Sequence, residues 1–241
     1  MQKICFIIAM QVEAQPIIER YGLQNIEGFF GEAPTELYRG IIAGKELSVV
    51  TSGRQHGYDL VGCEPAAMAT TLAINALHPD MIINAGICGA FKANGSEIGD
   101  VYLSEGTVMF HDRNVPDDPY GVQSIGNYPT YNAKQIAADL GLKLGKCTTG
   151  SSFCMHDDEY ETVVKEGGQL VDMEAAAVAF VASAYKTPIM CVKCVSDLIK
   201  MDRDDNSVVD YVGNKKNACR ALGEACTKII QYLFVDQPTL F

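Results

Sequence analysis

The sequence contains no run of about 20 uninterrupted apolar residues, the length that a helix needs to cross a bilayer. Its opening segment, MQKICFIIAMQVEAQ, has neither the length nor the small-residue cleavage site of a secretory signal. We therefore expect no membrane association, and the apolar run near the start predicts a buried first strand.

Basic residues are also scarce, since 19 Lys and Arg stand against 30 Asp and Glu, a formal net charge of −11. No cluster of Lys or Arg interrupts this acidic background. The sequence therefore argues against a nucleic-acid-binding surface. Fixed cations for a substrate with several phosphates are few as well.

A disulfide framework is the third absence, because the nine cysteines are odd in number and scattered along the chain. Many lie in apolar runs, where a free cysteine behaves as a small hydrophobic residue, so we expect a reducing, cytoplasmic setting. Cys191 and Cys194 form a CxxC, but residues three apart in a strand point to opposite faces of a sheet. We expect neither a metal nor another cofactor.

Short β-branched runs alternate with longer helical patterns, which favours a layered α/β fold. The predicted strands are 3–10, 47–51, 80–85, 100–104, 169–172 and 188–196. The predicted helices are 12–20, 63–77, 132–140, 157–165, 173–185 and 215–234. Several strands are apolar without alternation, so the sequence predicts a mainly parallel sheet buried between helices. With no repeat or linker, a single domain over 1–241 is expected.

Residues 110–131 are rich in Pro, Gly, Asp and aromatic side chains. A loop of this length inside a compact domain is usually functional or disordered. The aromatic residues favour an ordered wall of a site or a subunit contact, and a solvated loop is the alternative.

Polar and glycine residues follow several predicted strands, where ligands bind in open parallel sheets. They are Glu13, Ser52, Gly53, the run Gly86 to Gly89, Met173, Glu174, Ser196 and Asp197. Each has an ordinary structural explanation as well. Glu13 and Glu174 suit the first turn of a helix, Asp197 suits a cap or turn, and the glycines suit a tight strand-to-helix turn.

Together, the three carboxylates form a pattern that glycosidic cleavage requires. One carboxyl group, kept protonated, donates a proton to the leaving group, and a second carboxylate activates water. The transition state is oxocarbenium-like, so a carboxylate near the sugar also stabilises the developing positive charge.

Six segments in the same order resemble the nucleoside phosphorylase superfamily, specifically the plant-type branch of its 5′-methylthioadenosine/S-adenosylhomocysteine nucleosidases. They are IIAMQVEAQP (7–16), IINAGICGAFKANGSEIGDV (82–101), FHDRNVP (110–116), TGSSF (149–153), VDMEAAAVAFVA (171–182) and VKCVSDL (192–198). The resemblance implies a three-layer α/β fold with a central mixed, mainly parallel twisted sheet flanked by helices. It also implies hydrolysis of a purine nucleoside, 5′-methylthioadenosine, in methionine salvage.

The resemblance further implies roles for the two groups that carry out the reaction. Asp197 resembles the general acid that protonates adenine N7, with Ser196 orienting it. Glu13 resembles the residue that positions and deprotonates the attacking water, and Lys193 matches a basic residue near that glutamate.

The resemblance places the remaining residues around the substrate. Glu174 would bind the ribose hydroxyls with Met173 packed against the sugar. Phe153 would stack on adenine, and the backbone of Phe153 or Cys154 would read the Watson–Crick edge of the base. The segment that contains Ile87 and Gly89 would line the same pocket. Family members are dimers, and residues 110–122 are the candidate contribution to the partner's site.

Two positions depart from the family pattern. Ile87 stands where relatives tend to carry Ser or Thr, which removes a hydrogen bond worth about 0.5–1.5 kcal/mol. Arg54 introduces a cation near the expected nucleophile position.

Two other functions remain open from the sequence. A phosphorylase would use phosphate in place of water, although Glu13 in the first-strand loop would repel phosphate. A non-catalytic nucleoside-binding protein would keep the fold without turnover. Between the two nucleosidase substrates, the apolar Val208, Val209 and Tyr211 favour methylthioadenosine over S-adenosylhomocysteine.

Overall fold

The computed structural model describes residues 1–113, 115, 120–199 and 207–236. The strands are β1 (Lys3–Ile8), β2 (Gln24–Asn25), β3 (Glu36–Ile42), β4 (Lys45–Thr51), β5 (Arg54–Gln55), β6 (Tyr58–Asp59), β7 (Met81–Phe91), β8 (Val101–Ser104), β9 (Thr107–Phe110), β10 (Tyr128–Pro129), β11 (Lys143–Gly145), β12 (Cys147–Thr149), β13 (Leu170–Asp172) and β14 (Ile189–Ile199). The helices are α1 (Gln11–Tyr21), α2 (Cys63–Leu77), α3 (Tyr120–Ile125), α4 (Lys134–Leu140), α5 (Asp157–Lys165), α6 (Ala175–Ala184) and α7 (Ser207–Gln231).

Among the described residues, 12 strands form one mixed sheet that follows the order β10-β9-β12-β13-β7-β1-β4-β3-β2. β14 runs parallel to β7 along nearly its whole length and also pairs antiparallel with β8, which in turn pairs with β11. The long strands β7 and β14 therefore form the centre of the sheet, and the predicted mixed α/β fold is confirmed.

Helices cover both faces of this sheet. Residues of α1, α4 and α7 pack into one apolar core, and residues of α2 and α6 pack into a second. Strand β1 shows why the strands read as continuous apolar runs, because Ile4, Phe6 and Ile8 enter the first core while Cys5 and Ile7 enter the second.

The CxxC cysteines follow the same rule. Cys191 lies in the core beneath α2 and α6, and Cys194 lies in the core beneath α7. The two thiols therefore face opposite sides of β14, as predicted, and burial raises the pKa of each to about 12.

The predicted end of the strand at residue 85 is wrong, because β7 continues through Gly86 and Gly89 to Phe91. The neighbouring β14 supplies ladder partners along this whole segment, which keeps it extended. In the same way β14 does not end at 196 but runs to Ile199, with an irregularity in pairing between Val195 and Asp197.

Candidate active site

A cavity of about 1280 Å³ opens where β7, β13 and β14 approach the first turns of α1, α6 and α7. Its lining contains the following residues: Ala9, Met10, Glu13, Val61, Ile87, Cys88, Gly89, Ser152, Phe153, Cys154, Met155, His156, Asp157, Tyr160, Glu161, Val171, Asp172, Met173, Glu174, Ser196, Asp197, Ile199, Val208, Tyr211 and Val212. Segments far apart in the chain thus bring the predicted carboxylates to one cavity.

Glu13 is buried in the first turn of α1 and accepts two backbone hydrogen bonds. The N–H of Ile87 donates to Oε1 at 2.8 Å, and the N–H of Met10 donates to Oε2 at 3.1 Å. Burial raises the pKa of Glu13, while the two backbone donors, Lys193 and Lys215 oppose this rise. Glu13 is therefore both a helix-capping residue and a fixed carboxylate in the cavity wall.

Lys193 lies behind this wall, on β14, and is 1% exposed. Its partner in the β7 ladder is Gly86, and a Cβ there would lie 3.3 Å from Glu13 Oε1 and 3.5 Å from Lys193 Nζ. The missing side chain of Gly86 leaves the space that the carboxylate and the ammonium share.

Asp172 ends β13 and is the ion-pair partner of Lys193, with Oδ2 2.5 Å from Nζ. Burial by itself would lower the pKa of Lys193, but the negative charges around it, Asp172 foremost, together outweigh burial, so that pKa is raised. Sequence reasoning missed Asp172 because it considered residues that follow the strands, and Asp172 is the last residue of one. An acidic residue at the end of an apolar strand was the available signal.

Glu174 immediately precedes α6, and its Oε1 accepts a hydrogen bond from the N–H of Gly62 at 2.8 Å. Burial and the nearby Asp172 carboxylate raise the pKa of Glu174 to about 7. Its surroundings therefore favour the protonated form more than those of an exposed glutamate do. Met173, beside it, also lines the cavity.

Asp197 and Ser196 lie at the irregularity of β14, where the chain gains one residue relative to β7. Both are buried, and the Ser196 hydroxyl lies 2.7 Å from Asp197 Oδ1 and 3.2 Å from the Cys88 carbonyl oxygen. Gly89 pairs with Asp197 across the ladder, and a Cβ at Gly89 would lie 2.8 Å from Asp197 Oδ2. Glycine thus makes room for this carboxylate too.

Phe153 and Cys154 form an exposed part of the cavity rim. The Phe153 ring contacts the Tyr211 ring edge to face, with centroids 5.3 Å apart. Val208 and Tyr211 line the cavity as the sequence predicted, whereas Val209 is 69% exposed and is not part of the lining.

The expected cation near the nucleophile position is wrong. Arg54 lies in the β5–β6 hairpin, where it pairs with Asp59 at 3.5 Å and donates to the Gly57 carbonyl oxygen at 2.7 Å. The described contacts of its side chain are within the hairpin, and it does not line the cavity.

Part of the segment assigned to a partner subunit falls outside the described residues, namely 114 and 116–119 of 110–122. Within the described remainder, α3 carries Tyr120, 59% exposed, and Val122, 70% exposed.

The described residues contain neither a cluster of metal ligands nor a membrane-spanning helix. In 1–113, 115, 120–199 and 207–236, no group of three or more His, Cys, Asp or Glu is arranged to hold a metal ion. Over the same ranges no helix combines the length and apolarity needed to span a bilayer.

The geometry supports acid–base chemistry on a bound small molecule. Three of the carboxylates that line the cavity have different surroundings: Glu13 is held by backbone donors, Asp197 lies beside a serine hydroxyl, and Glu174 has a pKa raised to about 7. Groups separated in this way can act as base, acid and ligand for hydroxyl groups.

Comparisons with known proteins agree with this geometry. A family model described as the phosphorylase superfamily matches residues 3–231. The 5′-methylthioadenosine nucleosidase of Arabidopsis thaliana is 36% identical over 95% of this chain and 86% of its own. The 5′-methylthioadenosine/S-adenosylhomocysteine nucleosidase of the same plant is 35% identical over 95% of this chain and 91% of its own. The solved structure of the first of these, in its apo form, superposes with a TM-score of 0.90 and 36% identity, covering 95% of this chain and 94% of that one.

Proposed function

The chain belongs to the phosphorylase superfamily, and from this membership and the three cavity carboxylates we propose that it is a nucleosidase. It hydrolyses the N-glycosidic bond of 5′-methylthioadenosine and releases adenine and 5-methylthioribose. The family predicted from the sequence motifs is thereby confirmed, and the same domain is proposed to span 1–241.

Asp197 is the proposed general acid. It protonates adenine N7, so that the base leaves as a neutral molecule, and the Ser196 hydroxyl, 2.7 Å from its Oδ1, orients it. This role is supported by the position of Asp197, which is buried in the cavity wall beside Gly89. A proton donor there is shielded from bulk water.

Glu13 is the proposed base that activates water. The two backbone N–H donors hold both of its oxygens in place and, with Lys193 and Lys215, favour the ionised form that a base requires. Ile87 serves this role through its backbone, which needs no hydroxyl, and its apolar side chain narrows the cavity beside the carboxylate.

Glu174 is the proposed ligand of the ribose 2′- and 3′-hydroxyls, with Met173 packed on the sugar. One Glu174 oxygen is occupied by the Gly62 N–H, which leaves the other for the substrate. Phe153 is proposed to stack on adenine, with the Cys154 backbone beside the base, and both positions line the same cavity.

Water rather than phosphate is the proposed nucleophile. The observation that supports this choice is that the hydrogen-bond donors around Glu13 already have carboxylate partners. A phosphate site needs several converging donors. Here the N–H groups of Met10 and Ile87 donate to Glu13, and Lys193 pairs with Asp172. Within the described residues the cavity lining contains no Lys or Arg side chain.

Methylthioadenosine is the proposed preferred substrate, ahead of S-adenosylhomocysteine. Val208, Tyr211 and Val212 form one wall of the cavity, and such a wall suits a methylthio group better than a zwitterion. The ratio of kcat/KM for the two nucleosides tests this preference, and a higher value for S-adenosylhomocysteine contradicts it.

A homodimer is proposed as the working form, in the cytoplasm, with residues 110–122 near the partner's cavity. The exposed Tyr120 and Val122 support this, because large apolar side chains exposed together are common at subunit contacts. Sedimentation equilibrium tests the proposal, and a monomer with full activity contradicts it.

The decisive experiment measures adenine released from methylthioadenosine by the purified protein, with and without saturating phosphate. We expect equal rates and free 5-methylthioribose in both, and Asp197→Asn as an inactive control that still binds adenine. Strict phosphate dependence would establish a phosphorylase. Adenine binding without any turnover by the unmodified protein would establish a binding protein.

A further inference from the structure

Asp172 is a buried carboxylate in the lining of the same cavity as the proposed catalytic groups, and its partners come from several elements. Its Oδ2 lies 2.5 Å from Lys193 Nζ, and its Oδ1 accepts the Thr149 hydroxyl at 2.6 Å. The N–H of Ala175, at the start of α6, also donates to it at 3.0 Å. The position of this carboxylate is therefore set from three directions.

Lys193 depends on this carboxylate for its charge. An ammonium group that is almost fully buried is costly unless an ionised partner lies beside it. The position beside Gly86 brings the ammonium and Glu13 Oε1 within 3.5 and 3.3 Å of one point in space. A cation held there attracts the negative charge of Glu13 through a region of low dielectric.

We propose, on the basis of the function proposed above, that Asp172 is a positioning residue for the hydrolysis, which holds the Lys193 ammonium where it supports the ionised form of Glu13. Asp172 acts through Lys193 and is not itself a catalytic residue. Without it, the buried lysine loses its proton or moves, and Glu13 keeps its two backbone donors but loses the positive charge of Lys193, which opposes the effect of burial.

Other titratable groups surround this ion pair and share its field. They are Cys63 on α2, Cys88 on β7, His111 after β9, Cys147 on β12, Cys191 on β14, Glu174 before α6, Glu13 on α1 and Lys215 on α7. Burial raises the pKa of each of the four thiols, so they stay neutral in the assay range. The charges that respond to a change at Asp172 are therefore those of Lys193, Glu174 and His111, and through Lys193 that of Glu13.

A purely structural role for Asp172 makes a different prediction. The Thr149 hydroxyl and the Ala175 N–H both reach Oδ1, at 2.6 and 3.3 Å, and the single amide oxygen of asparagine can take that position. The contact with Lys193 needs a negative charge. The Asp172→Asn variant therefore removes the negative charge beside Lys193 and keeps an oxygen acceptor for the structural contacts.

The test is the pH profile of kcat/KM for methylthioadenosine in Asp172→Asn, with Asp172→Glu as the conservative variant. We expect the acid limb, which reports ionisation of the base, to move up by about one pH unit, with kcat/KM about tenfold lower on the acidic side. KM at alkaline pH should stay within about threefold, and Asp172→Glu should return the limb most of the way to its original position. A folded Asp172→Asn protein with an unchanged acid limb overturns the proposal.

Asp80→Asn is the matched control, because Asp80 accepts hydrogen bonds from the N–H groups of Gln2 and Lys3 outside the cavity. It should lower the midpoint of thermal unfolding without moving the acid limb, and a shift as large as that of Asp172→Asn overturns the proposal.

If Asp172→Asn does not fold, Lys193→Met carries the test, since it removes the same support from Glu13. An acid limb that stays in place in this variant also overturns the proposal. The unmodified protein separates the two hypotheses. If it releases no adenine, the proposed function is wrong. If it releases adenine normally and the acid limb of the variants does not move, only this inference is wrong.

Discussion

Replacing Gly89 with alanine tests the proposed acid by steric displacement alone. The new Cβ would lie 2.8 Å from Asp197 Oδ2 and 3.2 Å from Ile199 Cδ1, whereas ordinary contact begins at 3.4 Å. The Asp197 carboxylate must therefore move by roughly 0.6 Å. The backbone at Gly89 does not oppose the substitution, because the φ angle of Gly89 is not positive.

A displacement of this size is enough to matter for proton transfer. Catalytic groups need to stay within about 0.5 Å of the productive geometry, and an error of about 1 Å costs on the order of 100-fold in rate. We expect kcat for adenine release to fall by about 10- to 100-fold in Gly89→Ala. KM should change much less, because the cavity keeps its other walls.

Two further glycines give graded controls. Gly86→Ala approaches Glu13 Oε1 at 3.3 Å, a milder contact, and should lower kcat by less than about tenfold. Gly213→Ala, on α7, meets nothing within 4 Å and should leave kcat unchanged while stabilising the helix by about 0.5–1 kcal/mol.

The assay is continuous adenine release from methylthioadenosine, with the thermal midpoint measured on the same samples. A folded Gly89→Ala protein that keeps the original kcat would refute the assignment of Asp197 as the acid. Equal losses in all three variants would refute the steric reasoning, since the contacts differ.

Three more outcomes follow from the site. Asp197→Asn should lower kcat by about 10²–10⁴-fold, with adenine affinity by calorimetry nearly unchanged; turnover within tenfold of the original would count against an acid role. Glu174 has a pKa raised to about 7, so its contribution to stability is present at pH values below its unfolded value near 4.5 and is lost as pH rises through 7. Glu174→Gln should therefore narrow the stability difference between pH 5 and pH 8, by on the order of 2 kcal/mol in urea unfolding; an unchanged difference would show that Glu174 is ionised throughout. Arg54→Ala should keep kcat/KM within about twofold, because an exposed ion pair within a hairpin contributes little, and a large loss would place Arg54 back in the site.

Elements with strong local signals were predictable from the sequence. The predicted helices 63–77 and 157–165 have the observed bounds, and both combine an acidic first turn with helix-favouring residues. Helix α7 begins at Ser207, whereas the predicted start was 215. The prediction missed the first two turns because they expose Val208, Val209 and Val212 and lack an apolar periodicity. The strands β5, β6 and β10 have two residues each. They are defined by pairing with a neighbouring strand, which a local sequence pattern of two residues does not predict.

The residues proposed for the site divide in the same way. Glu13 and Asp197 could be found because β1 and β14 run parallel to β7 and deliver these residues to one edge of the sheet. Glu174 follows β13, which runs antiparallel to β7, so its place in the same cavity depends on a pairing that the sequence did not predict. That Lys193 pairs with Asp172, and that Gly86 and Gly89 stand opposite Lys193 and Asp197, follows from the register of β14 on β7 and the approach of β13. Register depends on partners distant in sequence, so a single strand does not specify it.

The sequence by itself determined the alternation of strands and helices, the family, and which residue types can carry acid and base chemistry. Only the tertiary structure decided the protonation behaviour of those residues. Glu174 has a pKa of about 7 because burial and Asp172 act on it together. Burial raises the pKa of Glu13 as well, and the N–H groups of Ile87 and Met10 and the charge of Lys193 oppose that rise. The physical reason is that a pKa depends on burial and on charges within a few ångströms, and in this cavity those charges come from segments far apart in the chain.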